Sequence, residues 1–167
     1  MTPTVQAGFV TRPRGLAGEV EIRLFLAGRA VALPRGFEAL VGDRAVTVER
    51  SSIRSADTVT ALFTGLESIE AVDGFRGEAF SASRESVLAV SGFRPLALFL
   101  GMRVEWQDGA GIVEDFEPFS ANPLLSVGFE GRRFDVPLLL ITETGSIDWE
   151  GGRIGLRLPA GLVEGVD

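Results

Sequence analysis

Short strand-like runs separated by glycine turns recur along the whole chain, and they constrain its fold more than any other feature. The runs VQAGFV (5–10), GEVEIRLFL (18–26) and DTVTALFTGL (57–66) alternate apolar with polar residues or are rich in β-branched and aromatic residues, as strands are. Gly42-Asp43 predicts a hairpin turn between two further strands. Closely spaced glycine turns between short strands favour small barrels over an open sheet.

The periodicity changes once, in the segment ESIEAVDGFRGEAF (67–80). Apolar residues there recur every third position from Ile69 to Phe75, and Ser68 precedes them as a candidate N-cap. This pattern predicts one short helix over roughly residues 68–75. The small, polar segment SASRESV (81–87) that follows is typical of a linker.

The second half of the chain predicts three more hairpins. Their turns lie at residues 108–111, 130–131 and 150–152, where glycine accompanies Asp or Glu. We therefore predict an all-β protein of two small β-barrels with a short helix. The first domain spans residues 1–85 and the second spans residues 86–167.

The composition excludes many catalytic sites. The chain of 167 residues has no Cys, His or Tyr, which removes thiol nucleophiles, histidine bases and imidazole metal ligands. We accordingly predict no catalytic residue, no metal and no cofactor. The N-terminus lacks a signal-peptide pattern, and the apolar runs are shorter than the ~20 residues that span a bilayer. We expect a cytoplasmic monomer that does not bind a membrane.

The charge is distributed unevenly along the chain. Net charge is −7, and every one of the 16 basic residues is arginine. Residues 1–85 hold 10 arginines against 11 acids, whereas residues 86–167 hold 6 against 12. The acidic half suits a basic protein partner. The arginine-rich half could approach RNA, because affinity for nucleic acid comes mainly from cationic contacts.

Gly15-Leu16-Ala17-Gly18 forms a G-x-x-G motif. In KH domains such a loop clamps a nucleic-acid backbone, but it joins two helices there. Strand-like runs flank the motif here, which favours a tight corner in which glycine supplies unusual backbone angles. A phosphate-binding P-loop is excluded because the chain has no lysine.

Two further groups admit a chemical and a structural interpretation. Glu114, Asp115 and Glu117 could be metal ligands, but adjacent residues of a strand point to opposite faces, so we favour a solvated acidic rim. Trp106 and Trp149 could stack on bases, but their strand-like context favours packing.

The opening stretch AGFVTRPRGLAGEVEI (7–22) resembles the N-terminal signature of the RimM ribosome-maturation family. The matching positions are Gly8, Pro13, Gly15, Leu16, Gly18, Glu19 and Val20. Arg14 stands where the family has His. Similar segments follow in family order: TGLESIEAVDGFRGEAF (64–80), LFLGMRV (98–104), GAGIVEDF (109–116), SANPLLSV (120–127), VPLL (136–139) and GSIDWEGGRIGLRLPAGLVE (145–164).

This resemblance implies an N-terminal barrel like the second domain of elongation factor Tu, followed by a PRC-type barrel. It also implies a non-enzymatic factor that binds small-subunit ribosomal protein nineteen and the immature 30S particle with its 16S rRNA. Such a factor assists maturation of the 30S head and 16S rRNA processing. The alternative is a PRC-barrel interaction scaffold that is not tied to the ribosome.

The resemblance also suggests where partners bind. Family members carry a Tyr-Tyr-Trp run before the second domain, linked with ribosomal-protein binding, but this chain has no Tyr. From the aligned stretch we predict as partner-binding residues Phe93, Arg94, Leu96 and Phe99. Burial in the second barrel is the alternative for Leu96 and Phe99. We predict that Arg12 and Arg14, beside the glycine corner, face RNA.

Overall fold

The computed structural model describes residues 3–118, 122–159 and 161–163. Parts of two family-like segments, including Ser120, Ala121 and Glu164, lie outside the described residues. The chain divides into two compact units, Met1–Leu98 and Phe99–Asp167. Each unit is built mainly from strands, as predicted.

Six strands form the first unit and close into a barrel in the order β1-β2-β5-β4-β3-β6. They are β1 (Thr4–Arg14), β2 (Glu19–Leu24), β3 (Glu38–Val41), β4 (Arg44–Ile53), β5 (Thr58–Phe63) and β6 (Ala79–Ser83). Alternating residues fill the barrel: in β2, Val20 and Ile22 are fully buried, whereas Glu19 and Glu21 lie on the outer side. The predicted hairpin turn at Gly42-Asp43 connects β3 to β4 and is confirmed.

The predicted helix over 68–75 is present. Helix α1 (Ile69–Val72) continues into a 3-10 turn (Asp73–Phe75). The Ser68 hydroxyl accepts a hydrogen bond from the backbone N–H of Ala71, which satisfies one of the helix's free amide donors. Val72 and Phe75 are buried, and this explains the apolar spacing in the sequence.

The predicted linker over 81–87 is wrong. Residues of this segment belong to β6, which pairs with both β1 and β3, and to helix α2 (Arg84–Ala89). Small residues are needed because Ala82 lies fully inside the barrel, and Ser83 caps α2 through the amide of Ser86. A bridge between Leu26 and Pro95 ties the following residues to the same unit. The division between units therefore falls at residues 98 and 99, later than the predicted boundary at 85 and 86.

The second unit contains a six-stranded sheet in the order β10-β9-β8-β7-β12-β11. Its strands are β7 (Arg103–Trp106), β8 (Gly109–Glu117), β9 (Leu124–Phe129), β10 (Arg132–Pro137), β11 (Ser146–Asp148) and β12 (Arg153–Gly155). All three predicted hairpins are confirmed as β7-β8, β9-β10 and β11-β12. The all-β fold class is thus confirmed, with a closed six-stranded barrel in the first unit and a six-stranded sheet in the second.

The apolar run that begins at Val136 is only partly a strand. The strand stops at Pro137, and helix α3 (Leu138–Thr144) follows. Leu138 and Ile141 are buried on one side of α3, while Leu139 is half exposed. Apolar runs of this length fit a buried strand or a helix equally well. No helix in the described part of the chain is long and apolar enough to cross a membrane.

In the second unit, the acidic residues lie on the surface and Trp106 packs in the interior, as the structural interpretations of the sequence predict. Glu114 and Asp115 are both exposed, because a bulge between Val113 and Asp115 interrupts the alternation expected of adjacent strand residues. Trp106 is buried and packs edge-on against Phe129 and Phe134, with ring centroids 5.1 and 5.5 Å away.

Candidate nucleic-acid interface

The G-x-x-G segment is the hairpin corner between β1 and β2. Gly15 and Gly18 have backbone φ angles of +73° and +93°, a left-handed region that glycine adopts at little cost. A side chain at Gly18 would also collide with the backbone of Leu66 and Ser68. The motif joins two strands, so a KH-type loop is excluded. At the tip of the corner the Leu16 side chain is 82% exposed.

Arg12 and Arg14 project from β1 onto the outer face of the barrel. Their strand partners are Glu21 and Glu19, two residues that lie on the same outer side of β2. Arg12 Nε donates to Glu21 Oε2 at 2.8 Å, and Arg14 NH1 donates to Glu21 Oε1 at 3.2 Å. Both guanidinium groups therefore converge on one carboxylate.

A third arginine, Arg54, also lies close to the carboxylate of Glu21. The pairing of β2 with β5, and of β5 with β4, places Glu21 in one row with Thr60 and Ser52. This row brings the end of β4 close, and Arg54 Nε lies 3.6 Å from Glu21 Oε1. Glu21 thus lies between two arginines of β1 and one that directly follows β4, a strand that is not a neighbour of β1.

The pKa of Glu21 reflects this environment. The hydrogen bond from Arg12 lowers it most, burial works in the opposite direction, and the charges of Arg12, Arg14 and Arg54 lower it further. The net pKa lies below the ordinary value of 4.5. Glu21 is consequently a carboxylate at all physiological pH values, with only 12% of its side chain exposed.

Two more ion pairs extend the charged surface. Arg50 lies 3.4 Å from Glu19, and Arg23 lies 3.4 Å from Asp57. Burial raises the pKa of Asp57, but hydrogen bonds from Thr58 and Ser55 and the charge of Arg23 outweigh it, so the pKa lies below 3.8. We call the whole set the arginine cluster: Arg12, Arg14, Arg23, Arg50 and Arg54 with Glu19, Glu21 and Asp57. These five arginines and three acids carry a net charge of +2.

The sequence predicted the two β1 arginines of the cluster but not Arg23 of β2, Arg50 of β4 or Arg54 directly after β4. Arg50 and Arg54 are distant from Arg12 in sequence, and only the β2-β5 pairing brings them together. The available signal was the hairpin of β4 and β5, whose outward positions carry Arg50 and Ser52. Which strand that hairpin would join is set by barrel closure rather than by local sequence.

The four predicted partner-binding residues occupy different environments. Phe93, Leu96 and Phe99 are at most 1% exposed, and Phe93 packs edge-on against Phe37 with ring centroids 6.1 Å apart. Their burial corrects the expectation of an exposed apolar anchor. Phe99 is buried within the second unit, as the alternative stated, whereas Leu96 belongs to the first unit. These side chains stabilise the core because they are large, apolar and fully covered.

Arg94 is half-buried and differs from its apolar neighbours. Its guanidinium NH1 donates to the backbone carbonyls of Val90 and Phe93, at 3.2 and 2.7 Å. Further along the chain, directly after the buried Phe99, the apolar side chain of Leu100 is 43% exposed. Sequence reasoning passed over Leu100 because nothing in its pattern separates it from the buried Phe99.

The second unit is strongly acidic. Residues 99–167 hold 5 arginines against 12 acids, whereas residues 1–98 hold 11 of each. On the outer face of its sheet, Asp115 and Asp135 flank Ser126 in one row across β8, β9 and β10. Arg133 is already paired with Glu114, at 3.1 Å. The acid excess therefore lies on the second unit alone.

Comparison with solved structures finds a protein that aligns with nearly the whole of this chain. A crystal structure of a Pseudomonas aeruginosa protein, described as a candidate 16S ribosomal RNA processing protein RimM, is 20% identical to this chain with a TM-score of 0.43. The alignment covers 95% of this chain and 99% of that chain. No protein-family model and no curated protein matches it.

Proposed function

We propose that this protein is a ribosome maturation factor that binds immature 30S particles and assists 16S rRNA processing. The observation that carries the proposal is the separation of charge between the two units. A cluster of arginines lies on the first barrel, and the excess of acids lies on the second unit. The ordered RimM-like segments of the sequence supply the biological setting.

The first barrel is the RNA-facing unit in this proposal. Guanidinium groups donate paired hydrogen bonds to phosphate oxygens. Arg12 and Arg54 are 59% and 43% exposed, so both can reach a ligand in solvent. The contact would be weak by itself, because the net charge of the cluster is only +2 and that of the first unit is zero.

The second unit is the protein-binding unit in this proposal. Its partner is small-subunit ribosomal protein nineteen, within the maturing head of the 30S particle. Ribosomal proteins are basic, and an acidic surface steers a basic partner and excludes RNA from the same face. Of the four predicted partner-binding residues, Arg94 is the one that is only half-buried, and Leu100, which follows Phe99, offers an exposed apolar side chain close to it in sequence.

The protein acts by binding rather than by catalysis. Cys and His, which many enzymes use as nucleophile and general base, are missing from the composition. We propose a cytoplasmic monomer, since ribosomal precursors assemble in that compartment. Size-exclusion chromatography with light scattering tests the monomer directly.

Sedimentation of a cell lysate tests the function. The full-length tagged chain should travel with 30S precursors and be missing from 70S ribosomes. Arg12→Ala/Arg14→Ala should shift the protein toward the top of the gradient. Arg35→Ala/Arg44→Ala is the matched control, because it removes the same charge from the same barrel outside the arginine cluster. A wild-type chain that never enters the 30S fractions would contradict the proposal and favour the scaffold alternative.

A further inference from the structure

The guanidinium groups of the arginine cluster already hold an anion that the protein itself supplies. Glu21 accepts from Arg12 and Arg14 at 2.8 and 3.2 Å, and Arg54 lies 3.6 Å away. A phosphate group bound by the same arginines would use the same donors. A phosphate and a carboxylate each present two oxygens that can accept the paired N–H groups of a guanidinium.

We propose that Glu21 is an internal phosphate mimic that weakens RNA binding by the arginine cluster. In the free protein it holds three guanidinium groups together, and RNA must compete with it for their donors. This inference rests on the proposed RNA contact of the first barrel. The proposed role of Glu21 is regulatory: it keeps the affinity of the arginine cluster for RNA low enough for the factor to be released.

The position of Glu21 supports competition rather than simple charge balance. Its side chain is only 12% exposed, whereas that of Arg12, its partner on the neighbouring strand, is 59% exposed. The guanidinium groups of Arg12 and Arg54 remain open to solvent on the outer side. An approaching phosphate therefore meets arginines that are already oriented, but it also meets the repulsion of a carboxylate within 4 Å of their nitrogens.

The extent of the surface fits a nucleic-acid backbone. The arginines lie on β1, β2 and β4 or directly after it, in a wall of four strands. Strands lie about 4.8 Å apart, so the cluster extends over roughly 14 Å. That length covers several phosphates of one RNA strand, and an acidic protein would have to match it with separately placed carboxylates.

The substitution Glu21→Gln tests the proposal in the full chain. Glutamine keeps an oxygen acceptor for Arg12 but removes the negative charge. Binding to a fluorescent RNA fragment of the 16S head should tighten about fivefold, which corresponds to removing one charge at about 4 Å in water. The slope of log affinity against log salt should steepen by about one.

The matched control is Glu49→Gln. Glu49 pairs with Arg35 at 2.9 Å and accepts from Thr64, outside the arginine cluster. Glu49→Gln changes the net charge by the same amount within the same barrel. Because the substitution lies outside the cluster, the RNA affinity of this variant should stay within twofold of wild type. Equal tightening by both variants would reduce the effect to overall charge and overturn the proposal.

A second variant keeps the test decisive if Glu21→Gln fails to fold. Arg54→Ala removes a partly exposed arginine and should weaken RNA binding about fivefold while lowering the salt slope by about one. Unchanged RNA affinity in Arg54→Ala, or in a folded Glu21→Gln variant, would overturn the inference. Displacement of RNA by polyglutamate at equal charge concentration would also overturn it, since the surface would then recognise acidic proteins.

The result separates this inference from the proposed function. If wild type fails to sediment with 30S precursors but Glu21→Gln still tightens RNA binding, the function fails and the mimic stands. If wild type sediments with precursors and Glu21→Gln leaves RNA affinity unchanged, the mimic fails and the function stands.

Discussion

Gly15 and Gly18 have the same backbone handedness but different surroundings. A side chain at Gly15 would enter open space, whereas one at Gly18 would collide with the backbone near Leu66. We expect Gly15→Ala to lower the free energy of unfolding by about 1 kcal/mol, from left-handed strain alone. Gly18→Ala should cost at least twice as much, because backbone atoms cannot move aside. Urea unfolding of both variants checks the ranking, and equal losses would contradict it.

Glu21 also makes stability depend on pH. Its pKa is lower in the folded protein than the ordinary 4.5, so its contribution is fully present above that value and is lost as pH falls through the folded pKa. Glu21→Gln should therefore reduce the free energy of unfolding by about 1 kcal/mol at pH 7. The difference from wild type should shrink below pH 4.5. Urea unfolding at several pH values tests this, and a difference that grows in acid would contradict the assignment.

At the scale of elements, hairpins were the most predictable features. Gly42-Asp43 lies between adjacent strands, and turn chemistry depends on local residues only. The strand β6 was missed because SASRESV has no apolar alternation, and it forms a strand only because β1 and β3 leave a place for it. The same limit applied to the candidate site: Arg12 and Arg14 lie on a recognisable hairpin, but Arg54 joins them through a long-range pairing.

The segment after β12 shows how one side chain can replace a strand partner. The Gln107 amide donates to the carbonyl of Leu158 at 2.7 Å and accepts from its N–H at 3.0 Å. We expect Gln107→Ala to lower the free energy of local opening there by about 1–2 kcal/mol, from two lost hydrogen bonds. Native-state hydrogen exchange at the Leu158 amide measures this. Asp108→Ala, one residue further in the same turn, is the control and should leave that amide protected.

At the scale of the whole molecule, the two units differ more clearly in net charge than in sequence pattern. Residues 1–98 are neutral overall, with 11 arginines and 11 acids, while residues 99–167 carry a net −7. Opposite charge mainly raises association rates. It is screened over a Debye length of about 8 Å at physiological salt. A basic ribosomal protein should therefore be captured quickly by the second unit at low salt and more slowly as salt rises.

The outer row of Asp115 and Asp135 allows this capture to be tested in the full chain. Asp115→Asn/Asp135→Asn keeps the acceptor for Ser126 but removes two charges from the sheet face. Association with immobilised ribosomal protein nineteen should slow several-fold at low salt, with little change in the dissociation rate. Asp43→Asn/Asp73→Asn removes two exposed charges from the first unit and should leave both rates unchanged. Equal slowing by the two double variants would show that overall charge, rather than the second unit, directs the encounter.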